Sequence, residues 1–156
     1  MKRRLAGAAI TMLVAGVAAG CGGDDTDAPA KRDALTKAEF VERADALCAA
    51  ADRRIEAEAA KLRSSAKKTG TLPSRTVVRF LEQSSIPAYE RMLLGLRDLT
   101  PPKSDEQRVD GFVASVAGAI DAVKQNPQKY ARRTTADPFD DANKRARAYG
   151  LKVCGS

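Results

Sequence analysis

The chain has 156 residues, with 27 Lys and Arg against 20 Asp and Glu and no His, for a formal net charge of +7. The missing imidazole excludes a His general base, His metal ligands and His-ligated haem. This length suits one modest domain plus a tether, large enough for a single buried core.

Met1-Lys2-Arg3-Arg4 precedes an uncharged run from Leu5 to Ala19, the positive start and short apolar segment of an export signal. The run is too short for a bilayer span, which takes about 20 apolar residues, and Gly22-Gly23-Asp24-Asp25 supply no basic stop-transfer cluster. It closes on Val17-Ala18-Ala19-Gly20-Cys21. Ala18-Ala19-Gly20-Cys21 resembles the lipobox of bacterial prolipoproteins, with Ala18 where that family more often carries Leu or Val. The resemblance implies a signal peptide over residues 1–20 and a diacylglyceryl group on the Cys21 thiol. It also implies a mature chain that is lipid-anchored to the cell membrane on its extracytoplasmic face. Each buried acyl CH₂ contributes about 0.8 kcal/mol, so two or three chains hold a small domain far more firmly than one. Val17 and Ala19 also fit an ordinary small-residue cleavage rule, which would leave a soluble exported protein with a thiol near its end.

Residues 21–34 read as a flexible tether. From Gly22 to Asp33 there is no large apolar residue to bury, and a coil of that length reaches about 20 Å. Loss of Lys2, Arg3 and Arg4 with the signal leaves 24 basic residues against 20 acidic ones, and from Leu35 onward the ratio is 22 to 16. That excess suits an anionic lipid, a cell-wall polymer or a protein partner, while its interleaving with acids equally describes a solvated surface. Nucleic acid is not expected, given the exported compartment and the lack of an RNA-binding or helix-turn-helix signature. With Cys21 assigned to lipid, Cys48 and Cys154 remain as a pair in an oxidising space and are expected to form a disulfide. Met92 is the only methionine of the mature chain, so neither a soft-metal site nor any cofactor is expected.

From residue 35 to 156 the pattern predicts a helical domain. Thr36 to Glu39 has the form of a capping box. Phe40, Ala44, Leu47, Cys48, Ala51, Ile55, Ala59 and Leu62 then recur at helical spacing to about Arg63. Ser64 to Pro73 reads as a polar loop. Ser74 is the expected N-cap of a second helix through Leu99, and Pro87 should kink or split it. Pro101-Pro102 ends that element. A second capping box at Ser104 to Gln107 opens a third helix on Val109, Phe112, Val116, Ile120 and Val123. Asn126-Pro127 closes it and can start a short turn. Asp137-Pro138 should open the last helix, with Asp140–Lys144 and Asp141–Arg145 pairs outside and Gly150 as C-cap. One Phe per helix, at 40, 80, 112 and 139, suggests four contributions to one core. The fold class expected is all-α, roughly a four-helix bundle, with the disulfide linking helix 1 to the C-terminal tail.

Ser64-Ser65-Ala66-Lys67 and Lys68-Thr69-Gly70 copy boxes that penicillin-binding enzymes hold far apart in sequence, and here they are contiguous and read as coincidence. Asp105-Glu106 and Asp140-Asp141 fall in first helical turns, where carboxylates favour the helix dipole. No catalytic constellation remains, so an enzyme is not expected. The ending Tyr149-Gly150-Leu151-Lys152-Val153-Cys154-Gly155, with a cysteine in the first helix, is similar to small uncharacterised actinobacterial lipoproteins that pair such cysteines. Two functions fit: a binding or adaptor module on the membrane, or a carrier of a small apolar ligand in a pocket opened near Pro87.

Overall fold

A computed structural model describes residues 33–70, 72–132 and 136–156. The expected signal, Cys21 and the tether as far as residue 32 lie outside them. The described residues form helices and turns without a strand, in the order α1 (Lys37–Thr69), α2 (Ser74–Phe80), a π turn (Leu81–Ser85), α3 (Ile86–Arg97), a 3₁₀ turn (Lys103–Asp105), α4 (Glu106–Gln125), α5 (Pro127–Ala131) and α6 (Asp140–Tyr149). The all-α expectation holds.

α1 starts as its sequence dictates. The Thr36 hydroxyl accepts from the Glu39 backbone N–H at 3.3 Å, and the Glu39 carboxylate accepts from the Thr36 backbone N–H at 2.8 Å. The hydroxyl and backbone bonds hold the Glu39 carboxyl below its usual range. The helix does not stop at Arg63. Ser64 and Ser65 turn their hydroxyls back onto the Ala60 and Lys61 carbonyls, and the rod runs on to Gly70, whose φ of 78° ends it in the left-handed region. The apolar stripe is buried only as far as Ala51; Ile55, Ala59 and Leu62 are half-buried.

α2, the π turn and α3 form one continuous run, because Phe80, Leu81, Ser85 and Ile86 all keep right-handed helical dihedrals. Pro87 is accommodated by the π turn just before it. The Ile86 N–H reaches back five residues to the Leu81 carbonyl, widening the helix where the proline lacks a donor and its ring would meet the preceding turn. Pro73, not Ser74, occupies the N-cap position of α2, so the expected hydroxyl cap is absent there.

α4 also begins differently from its sequence reading. Its N-cap is Asp105, after a 3₁₀ turn, and the Ser104–Gln107 box does not form. The Asp105 carboxylate instead accepts from the Tyr149 hydroxyl at the end of α6, at 3.0 Å, and pairs with Arg108. α5 forms on Asn126, whose side chain accepts from the Lys129 backbone N–H at 3.1 Å. Asp137-Pro138 lies a turn before α6 rather than inside it, with the Asp137 carboxylate accepting from the Phe139 N–H at 2.9 Å. α6 ends in a Schellman motif: Gly150 at φ 109° donates to the Arg147 carbonyl and Leu151 donates to that of Ala146.

α1 packs on α3, α3 on α4, and α4 on α6, giving the four-helix arrangement, while α2 and α5 pair beside it. Phe40, Leu96, Phe112 and Leu151 are the largest side chains fully buried at its centre. Phe80 and Phe139 are only half-buried, so the expectation of one core Phe per helix fails for two of the four. α2 stands beside the main core, and Phe139 precedes α6 in a turn, where its ring lies 4.6 Å from that of Tyr89.

Candidate functional site

The tail after α6 returns to α1 through two devices. Cys48 and Cys154 stand at disulfide distance, with Cα atoms 5.2 Å apart and 106 residues between them in sequence. One turn before Cys48, the Asp45 carboxylate accepts from the backbone N–H groups of Lys152 at 2.9 Å, Val153 at 2.9 Å and Cys154 at 3.1 Å. The bridge agrees with the cysteine count. Asp45 carried no signal of its own in the sequence, because its partners lie more than a hundred residues away. Gly155 completes the closure: a Cβ there would sit 2.9 Å from the Leu151 carbonyl oxygen, so the backbone can approach only without one.

Beside this staple, the π turn opens a space. A cavity of about 370 Å³ lies between the π turn, α4, α5 and the turn before α6, with Leu81, Ile86, Ile120, Val123, Tyr130 and Phe139 as its apolar walls. Its polar contributors are Ser85, Tyr89 and Asp137. The location follows from local geometry, since the wider π turn spreads the side chains of Leu81 and Ser85 from the spacing that an α-helix would give. A pocket near Pro87 was legible; its polar side chains were not.

A second, smaller cleft of about 140 Å³ adjoins the disulfide and shares Tyr89, Asp137 and Phe139 with the cavity. Asp52, Asn143 and Ser156 add to its lining. Burial pushes the Asp52 carboxyl above its usual range. Burial, reinforced by the negative charges of Asp52 and Asp137, pushes the Tyr89 hydroxyl up to about 12, so it stays a neutral donor at physiological pH.

The remaining sequence candidates are structural in their contacts. Ser64 and Lys67 lie exposed one turn apart on the last stretch of α1. Asp140 and Asp141 pair with Lys144 at 3.5 Å and Arg145 at 2.7 Å. Burial alone would raise the Asp105 carboxyl, but its bonds from Tyr149 and Arg108 outweigh that and hold it below the usual carboxylate range. Among the described residues no group of three His, Cys, Asp or Glu is placed to hold a metal ion, and no helix is long and apolar enough to cross a membrane. The chain matches no protein-family model, no curated protein and no solved structure.

Proposed function

We propose that this chain is an extracytoplasmic lipoprotein, held to the cell membrane by a diacylglyceryl group on Cys21, whose helical domain binds a small apolar molecule. The cavity of about 370 Å³ at the π turn carries the binding half of this reading, since its size and apolar walls match those of small-molecule sites. The anchor half rests on Ala18-Ala19-Gly20-Cys21 and on the pairing of the other two cysteines. Intact mass of the protein taken from membranes tests the anchor: cleavage before Cys21 with added acyl mass supports it, and an unmodified chain in the medium refutes it. Binding is tested with the neutral fluorophore N-phenyl-1-naphthylamine. Saturable binding that is weakened by Val123→Phe, which fills the cavity, supports the reading, and no saturable binding refutes it.

A second reading, an adaptor for an anionic lipid or cell-wall polymer, draws on a different place. Arg75 and Arg79 of α2 and Arg132 beyond α5 line one open groove with Glu82, and none of the three arginines forms an ion pair among the described residues. Sedimentation with anionic vesicles and with isolated wall, each compared with an Arg75→Gln/Arg79→Gln variant, separates this reading from the first.

A further inference from the structure

We propose that the molecule taken by the cavity is an amphiphile with a cationic head, its apolar body in the cavity and an ammonium group in the adjoining cleft beside Asp52, Asp137 and Tyr89. The inference rests on the ligand-binding reading above and names the ligand class. The cavity and the cleft share the Tyr89–Phe139 ring pair, so one elongated molecule can pass along those rings with its two ends in different surroundings. The cavity end is apolar, and its buried polar residue is Ser85, 6 % exposed.

The cleft end has the chemistry that holds an ammonium. Asp52 and Asp137 line it, and neither is in an ion pair among the described residues, although basic residues outnumber acidic ones 22 to 16 from Leu35 onward. Glu90, by contrast, pairs with Lys124 at 2.7 Å. Two unpaired carboxylates beside two aromatic rings attract a cation through charge and ring face together, and they repel a carboxylate or phosphate head. A neutral alcohol of equal length gains only the apolar part of the site.

Displacement of N-phenyl-1-naphthylamine from the exported full chain carrying Cys21→Ser, so that no micelle competes for the dye, tests the head group with decylammonium, decanol and decanoate. Decylammonium is expected to displace at about tenfold lower concentration than decanol, as one charge-assisted contact implies, and decanoate to be the weakest. Asp52→Asn and Asp137→Asn, singly and together, should bring decylammonium towards decanol, and dye binding should persist in Asp52→Asn, whose residue lines the cleft and not the cavity. Dye binding with no preference for the amine, or with decanoate strongest, overturns the cationic head and leaves the cavity reading standing. Amine preference that survives both Asn substitutions overturns the assignment to these carboxylates. Absence of dye binding removes the cavity reading, and this one with it.

Discussion

Asp45 carries more of the closure than its place in the sequence suggests. Its carboxylate collects three tail N–H groups, and a hydrogen bond to a charged group is worth roughly 1.5 to 3 kcal/mol. Asp45→Ala is therefore expected to lower unfolding free energy by about that amount in urea titrations, and to speed amide exchange at Lys152, Val153 and Cys154 ahead of the rest of the molecule. Asp105 gives a second residue-scale test. Its folded carboxyl is held below the ordinary value of 3.8, so its contribution to stability is present above that pH and is lost as pH falls through the depressed value. The wild-type urea midpoint should fall more steeply below pH 3.8 than that of Asp105→Asn. What separates legible residues from illegible ones is distance along the chain. Thr36 and Glu39 cap each other three residues apart and announce themselves, whereas Asp105 finds Tyr149 across 44 residues and is indistinguishable in sequence from a first-turn acid.

At the scale of elements, Pro87 was legible as an interruption, but the form of the interruption was not. A proline can kink, split or widen a helix, and the choice depends on what packs outside it; here α4, α5 and Phe139 leave room for a π turn. Pro87→Ala restores the missing donor and removes the ring, and is expected to raise stability by up to about 3 kcal/mol. It should also let the run from Leu81 relax towards α-helix, narrow the cavity and weaken dye binding, which calorimetry and fluorescence titration read separately. The end of α1 misled for a different reason. Ser64 to Thr69 has the composition of a loop, yet each Ser satisfies its hydroxyl on the helix itself, and Lys67 and Lys68 sit where a helix C-terminus favours cations. Polar composition does not end a helix; Gly70, whose backbone turns left-handed, does.

For the whole molecule, the all-α class and the cysteine pair could be read from periodicity and arithmetic, because each depends on local spacing or on elimination. The arrangement of α1, α3, α4 and α6, the separate pairing of α2 with α5 and the cavity between them could not, since they arise from contacts between distant segments. Stability at this scale leans on the bridge. A link across 106 residues is worth about 4 to 5 kcal/mol by chain entropy and 2 to 4 kcal/mol as commonly measured. Cys48→Ser/Cys154→Ser is expected to lower unfolding free energy by 2 to 4 kcal/mol, with reductant giving the same shift in wild type and none in the variant.

The same bridge decides how the protein responds to mechanical load. A pull applied between residues 33 and 156 passes from α1 through the sulfurs to the tail, so residues 49–153 form a covalently bypassed loop that bears no tension. Stretched in a single-molecule tether, the oxidised chain should lengthen only by its short ends, and reduction should release roughly 350 Å more at the usual extended rise per residue. If the N-terminus is fixed to a membrane, drag on the C-terminus would be carried by a bond and not by the packing around the cavity.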